Sequence, residues 1–310
     1  MRVFVAGATG AIGRQLVPRL VEQGHEVHGM TRSGSKEDML RRSGATPVVA
    51  DALDAGQVAS AVGQAMPEAI IHELTAIGAV NTRTLDRDFE LTNRLRTEGT
   101  DNLLAAAQMA GVKRFLAQSI GVWSYARTGG PVKTEDDPLD PTPPREMREV
   151  SSAIGHLERA VLGAEGIEGI VLRYGAFYGP GTSMAPGAPQ FEMIRDGKFP
   201  LVGDGGGVWS FIHVADAADA TVAALEKGRP GIYNIVDDHP APVAEWLPEL
   251  ARQLGAREPR RVPGFVGRLF AGEAGLAMMT ESRGASNEKA KRELGWEPAH
   301  PSWRQGLTAV

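Results

Sequence analysis

The sequence predicts an α/β protein: a doubly wound parallel sheet followed by a smaller C-terminal lobe. Three observations carry this. A short apolar run at residues 2–6 feeds directly into Gly7-Ala8-Thr9-Gly10-Ala11-Ile12-Gly13 and an amphipathic stretch marked by Leu16, Val17, Leu20 and Val21. β-type and helical runs then alternate over the first 175 residues, which is the signature of a parallel sheet with crossover helices. After Gly175 the composition shifts to Gly and Pro, and the later elements are shorter and less regular.

In chain order, strands are expected at residues 2–6, 26–31, 47–50, 69–72, 114–119 and 169–173, with helices near 11–23, 35–43, 55–64, 87–110 and 146–165. Six strands are enough for both halves of a Rossmann-type sheet, whose ligand crevice lies outside the carboxyl ends of the strands. Residues 128–144 are rich in Gly, Pro and Asp without any period and read as a loop. Further on, 209–214 and 232–236 read as strands, and 215–227, 243–254 and 287–294 as helices. The division expected is a dinucleotide-binding domain over 1–175 and a substrate lobe over 176–310, with part of the chain crossing back to the sheet.

The glycine turn predicts the ligand. A strand, a GxxGxxG turn and a helix in that order bring backbone N–H groups and a helix N-terminus to a pyrophosphate, with no Cβ in the way. Gly7, Thr9, Gly10, Ala11, Ile12 and Gly13 are therefore expected to cradle a dinucleotide. At the end of the second strand stands Gly29-Met30-Thr31-Arg32-Ser33, with no acid to meet the adenosine ribose hydroxyls and one guanidinium to meet a 2′-phosphate. NADP(H) is thus favoured over NAD(H). Asp51-Ala52-Leu53, ending the third strand, is expected at the adenine, and Leu74-Thr75-Ala76, after the fourth, at the ribose.

Bulk composition narrows the partners. The 310 residues are 42% hydrophobic and 23% charged, and the net charge of -5 is scattered without a basic block, so no nucleic-acid partner is expected. There is no cysteine, and hence no disulfide or thiolate metal site. The seven histidines lack the spacing of a metal pair on one helix, and no Gly-x-Ser-x-Gly elbow occurs. No apolar stretch reaches the roughly 18 residues that span a bilayer. With a strand starting at residue 2 leaving no room for a signal peptide, a cytoplasmic location is expected.

Several short segments in order make the chain resemble the extended short-chain dehydrogenase/reductase family, which contains nucleotide-sugar epimerases and dehydratases. They are the glycine turn, Asp51-Ala52-Leu53, Gln118-Ser119-Ile120, Leu172-Arg173-Tyr174-Gly175 with Tyr178-Gly179-Pro180-Gly181, Phe211-Ile212-His213-Val214-Ala215-Asp216, and Glu293-Leu294-Gly295-Trp296. The resemblance implies that Ser119 holds a reacting oxygen, that Tyr174 and Gly175 lie beside the nicotinamide, and that the fourth and fifth helices offer a homodimer face. It also implies a Tyr-x-x-x-Lys pair, in which the ammonium lowers the phenol's pKa for proton transfer.

That pair is missing. Glu158 matches the acid four residues past the family's lysine, so Ile154 occupies the lysine slot and Val150 the tyrosine slot, and no other Tyr-x-x-x-Lys occurs. With Ala153, Leu157 and Val161 they form an apolar stripe that cannot move protons. Tyr125, in the loop after the fifth strand, and Tyr178, after the sixth, are the expected substitutes. Ser152 and His156 lie about 200° round the helix from the empty slots and are expected to face away. Two more departures bear on the substrate. Ala176-Phe177 stands where nucleotide-sugar enzymes carry Asn, and Trp209 where they carry an Arg for the diphosphate. Trp123, Val150, Ile154, Phe177, Met184 and Trp209 are therefore expected to receive an apolar or aromatic small molecule.

The expected activity is an NADP(H)-dependent oxidoreductase acting on a ketone, alcohol or related centre. The alternatives are an epimerase or dehydratase with tightly bound cofactor, or a non-catalytic NADP-binding sensor or partner module.

Overall fold

The computed structural model describes residues 1–78 and 80–307. Seven strands, β1 (Arg2–Ala6), β2 (Glu26–Thr31), β3 (Thr46–Val49), β4 (Ala69–His72), β5 (Arg114–Ile120), β6 (Glu168–Tyr174) and β7 (Gly231–Ile235), form one sheet in the order β7-β6-β5-β4-β1-β2-β3. Every neighbouring pair is parallel. The order reverses between β1 and β4, and it is there that the crevice of a doubly wound sheet opens. Among the described residues seven helices have ten residues or more: α1 (Ala11–Glu22), α2 (Ala55–Ala65), α3 (Thr100–Ala110), α4 (Arg148–Leu162), α5 (Val214–Lys227), α6 (Val243–Gln253) and α7 (Gly264–Thr280).

Alternation along the strands sorts the helices into layers. Ile170, Leu172 and Tyr174 of β6 join Val3 and Val5 of β1 against Leu16 and Leu20 of α1 and Ala217, Ala220 and Ala224 of α5. On the opposite face Phe4, Ile70, Phe115 and Val171 meet Val58 and Val62 of α2, Leu103 and Ala107 of α3, and Leu157 and Val161 of α4. A third core lies beyond the carboxyl ends of the strands. It gathers Val150 and Ile154 from the first half of α4 with Trp209, Phe211, Trp246, Leu247, Met278 and Trp303.

Strand β7 comes from the span assigned to the second lobe and pairs with β6, so the sheet includes a returning segment. Elsewhere the structure departs from the sequence reading in places that matter for the site. The expected helix over 87–110 is broken into Leu85–Asp88, Glu90–Arg94, a wide π-turn over Leu95–Gly99, and α3. The expected strand over 209–214 is two short ones, Val208–Trp209 and Phe211–His213, the second pairing in parallel with Ala176–Tyr178. Helix α7 was not expected. Its run of Gly, Ala and Met has little amphipathic contrast, and Gly272 at φ 74° kinks it. Among the described residues no helix is long and apolar enough to cross a membrane.

Candidate active site

The glycine turn is tight for reasons that its neighbours make explicit. Gly7 has φ 95°, and a Cβ there would lie 2.6 Å from the carbonyl oxygen of Glu73, the residue after β4. A Cβ on Gly13 would lie 2.4 Å from the Gly7 carbonyl oxygen. The Gly10 N–H donates to that same oxygen at 2.9 Å, and Gly10 then begins α1 as an N-cap without any side-chain cap. The first-turn N–H groups are left for an anion, and the helix dipole favours one. Arg14 arches back over the turn, donating to the Thr9 carbonyl at 3.1 Å. A backbone cradle with no room for side chains fits a pyrophosphate.

The remaining cofactor candidates ring the same edge. Thr31 is buried, and its hydroxyl accepts from the Ser33 N–H at 3.2 Å, bending the chain so that Arg32 stands exposed with no ion pair among the described residues. Asp51 closes its own turn by accepting from the Leu53 N–H at 3.0 Å, and the Ala52 carbonyl is held by Asn102 at 2.9 Å. Leu74 and Ala76 are half-buried beside the exposed Thr75, and the Ala76 N–H donates to Thr92. The Leu74 N–H donates to Nδ1 of His72 at 3.2 Å, which leaves Nε2 to carry the proton toward Thr100, 3.1 Å away. Burial pushes His72 down to about 4, so this imidazole is neutral.

At the level of Ser119 the structure has a buried ion pair between α4 and β6. Ser119 sits opposite Arg173 in the β5–β6 register. Its hydroxyl donates to Oε1 of Glu158 at 2.7 Å, while Arg173 grips both oxygens of that carboxylate at 2.8 and 2.6 Å. The guanidinium also donates to the Tyr125 hydroxyl at 3.0 Å, which in turn donates to Asn234 of β7 at 2.6 Å. Burial alone would lower Arg173, but the Glu158 bonds hold it above its ordinary value.

The three hydroxyls expected to be catalytic are all buried and engaged. Ser119 and Tyr125 are each 1% exposed and have their hydroxyls engaged in the ion-pair network, and Tyr178 is fully buried. The Tyr178 ring packs under Gly306, its hydroxyl points to the His300 carbonyl at 3.4 Å, and burial raises its pKa well above the usual phenol value. Each of the three hydroxyl protons is directed to an acceptor within the protein. On α4, Ser152 is exposed and His156 turns outward to Asp101 at 2.8 Å.

Tyr174, the last residue of β6, is buried. Its phenol points to the α1 and α5 face, 3.1 Å from Oε1 of Glu73 and 2.6 Å from the Thr221 hydroxyl. Thr221 donates to the Ala217 carbonyl, so the single phenol proton cannot serve all its neighbours unless Glu73 is itself protonated. Burial does hold Glu73 protonated, pushing its pKa up to about 8. Gly175 serves as a close-approach point, where a Cβ would lie 2.8 Å from the Ser210 carbonyl oxygen.

Of the expected substrate residues, Val150, Ile154, Met184 and Trp209 share the third core, with Trp123 packed at its edge. Trp123 meets Trp209 edge-on at 5.1 Å, and its backbone is held at φ 64°, a strained value for an aromatic residue. Its indole N–H is buried without an acceptor. The Trp209 indole donates to the Met278 carbonyl at 2.8 Å and therefore serves as wall. Phe177 is the exception. It alternates to the other side of its strand and packs near Tyr174 at 5.3 Å, apart from the core that the others share.

Sequence reasoning missed the Glu158–Arg173 pair, Glu73, and Arg96 on the π-turn. Arg96 was detectable in principle, since Gly99 and Leu103 put it on the buried stripe of its helix.

Two outcomes are expected. Glu158→Gln leaves Arg173 buried without its counter-charge and should cost about 3–5 kcal/mol in urea unfolding at neutral pH; a loss below ~1 kcal/mol would show that the pair does not hold α4 to the sheet. Glu73 keeps its proton in the folded protein up to about 8 but releases it near 4.5 when unfolded. Stability therefore falls as pH rises through that window, by on the order of a few kcal/mol. Glu73→Gln should flatten this slope and raise the melting temperature at pH 8 relative to the parent, with the difference vanishing by pH 4; parallel pH profiles would refute the assignment.

Comparison with known proteins agrees with this geometry. The model of the NAD dependent epimerase/dehydratase family matches residues 3–236. A 3-diazoavenalumate denitrifying reductase from a Streptomyces species is 45% identical over 309 residues, covering 99% of each chain. A 4-hydroxy-2-methyl-3-oxo-4-farnesyl-3,4-dihydroquinoline-1-oxide ketoreductase from Stigmatella aurantiaca is 27% identical over 333 residues, covering 100% of this chain and 96% of its own. In fold, the chain is similar to the UDP-glucose 4-epimerase of Thermotoga maritima, with a TM-score of 0.78 at 24% identity over 99% of this chain and 96% of that one. These relatives support an enzyme, an NAD(P)-dependent oxidoreductase in general terms, with a nicotinamide dinucleotide cofactor and a small-molecule substrate. The chain belongs to the NAD dependent epimerase/dehydratase family.

Proposed function

We propose that this protein is an NADPH-dependent reductase that accepts an aromatic small molecule whose reduction needs a hydride and no proton from the protein. The observation that carries this reading is the helix face opposite Ser119. Val150 and Ile154 fill it, 5% and 3% exposed, and the hydroxyls nearby are tied into the Glu158–Arg173 network. A ketone becomes an alcohol only if a proton reaches its oxygen, and general acid catalysis of that step is worth roughly 10² to 10⁴-fold. An aryl diazonium ion makes no such demand. Its C–N bond breaks with the electron pair leaving on N₂, a C–H bond forms with the incoming hydride, and charge balances without any proton.

The similarity to a denitrifying reductase along the whole chain points to the same chemical class. When bound, the reduced nicotinamide supplies the hydride. The protein's own residues bind and exclude water. Gly7, Gly10, Ala11, Ile12 and Gly13 hold the pyrophosphate, with Thr9 beside them, while Asp51, Ala52, Leu53, Leu74, Thr75 and Ala76 border the adenosine. Arg32 meets the 2′-phosphate. The apolar wall of Trp123, Val150, Ile154, Met184 and Trp209 keeps the reacting ring dry, which favours hydride capture over addition of water.

NADPH oxidation followed at 340 nm, corrected for the protein-free rate, should be faster with 4-carboxybenzenediazonium than with 4-acetylbenzoate, and NADPH deuterated at C4 should leave deuterium on the ring with release of N₂. Faster turnover of the ketone would overturn the reading. Arg32→Ala should weaken NADPH binding about 10-fold or more, as expected for loss of a charge-assisted bond, with NADH binding nearly unchanged; equal losses would remove Arg32 from the 2′-phosphate.

A further inference from the structure

One buried cation has no part in the network described above. Arg96 lies in the π-turn Leu95–Gly99, where the helix widens by one residue before α3, a feature often found at functional sites. It is only 3% exposed, and Nη1 is buried without an acceptor. Among the described residues it makes no ion pair and no hydrogen bond. Nearby Arg94, by contrast, is clasped by Glu98 on the outer surface at 2.8 Å. The one contact recorded for the Arg96 guanidinium is the ring of Phe89, 5.9 Å away.

Its surroundings place it at the crevice. Phe89 belongs to the same apolar core as Val150 and Ile154. On the other side stands His72, the last residue of β4, which feels the guanidinium's charge. The cation thus lies between the ring of Phe89 and the carboxyl end of β4, and the π-turn that carries it packs against α4. Burial lowers Arg96 to about 10, which still leaves it charged at neutral pH. A buried charge without a partner costs several kcal/mol, and an anionic ligand would offset that cost. A guanidinium presents a planar fork that matches a carboxylate in two parallel bonds, and the neighbouring wall is aromatic and aliphatic.

We propose that Arg96 is the anion receptor of the substrate pocket and holds the carboxylate of an aryl acid, which makes the substrate class an aromatic carboxylic acid. This rests on the reading that the pocket takes an aromatic molecule. The inference adds the group by which that molecule is anchored, and with it a preference among aromatic substrates that an apolar wall alone would not give.

The test is calorimetric titration of the full chain saturated with NADP⁺, using cinnamate and its neutral isostere cinnamamide. The parent protein should bind cinnamate at least 10-fold more tightly than the amide. Arg96→Met should bring the two within about 3-fold, leave amide and NADP⁺ affinities unchanged, and keep or raise the melting temperature of the unliganded protein, since it removes an unpaired buried charge. A purely structural arginine would lower that temperature instead. Should Arg96→Met fail to fold, Arg96→Gln is read in the same way. Equal affinity of the parent for acid and amide, or an acid preference that survives loss of the guanidinium, would overturn the proposal. So would a loss confined to NADP⁺ binding, which would assign the guanidinium to the cofactor. A parent that prefers the acid but does not reduce diazonium ions would sink the proposed reaction while leaving this anchor standing. Reduction without an acid preference would do the reverse.

Discussion

The Glu158–Arg173 ion pair is the constraint on which the site depends. It joins α4 to β6, takes the Ser119 hydroxyl of β5 on one side and reaches Asn234 of β7 through Tyr125 on the other. Both partners are buried, at 5% and 3% exposure, and such a pair holds only when its hydrogen-bonding capacity is satisfied. Here it is, by a bidentate fork and two hydroxyls. Three strands and a helix are thereby fixed in one register, and with them the level at which each turn of α4 meets the crevice.

That register divides α4 between two cores. Leu157 and Val161 belong to the sheet, whereas Val150 and Ile154, one and two turns earlier, belong to the lobe core built around Trp209 and Trp246. The first half of α4 is therefore part of an apolar wall. What this region keeps in place of an acid and a base is unpartnered donors, the Trp123 indole and the Arg96 guanidinium. Under the proposed function this region binds and orients. It suits a reaction in which hydride arrival is the only bond-making step the protein must organise.

Much of the fold was legible because short-range rules sufficed. The first strand, the glycine turn and α1 follow from local apolar periodicity and from the need for φ 95° at Gly7. The first six strands lie within a residue or two of where the pattern puts them. The seventh was recognised as a strand, but its partner in the sheet was not, since pairing of Gly231–Ile235 with β6 is a long-range event. The break over Leu95–Gly99 was hidden because apolar spacing continues through it. Helix α7 was hidden for the opposite reason, its Gly, Ala and Met residues giving no contrast between faces.

The sequence by itself determined that a tight glycine turn of dinucleotide-binding pattern joins β1 to α1 and that no phenol and ammonium share a face of α4. Both are statements about residue identity at fixed local spacing. Which polar groups remain available was decided only by tertiary structure. Ser119, Tyr125 and Tyr178 are hydroxyl-bearing in sequence, but their protons are bound into contacts with residues 39, 109 and 122 positions away. Arg96 has the reverse history: an unremarkable arginine among others in a helical run, it is made conspicuous by burial without a counter-ion. Availability of a proton or a charge depends on burial and partners, and these are set by segments distant in the chain.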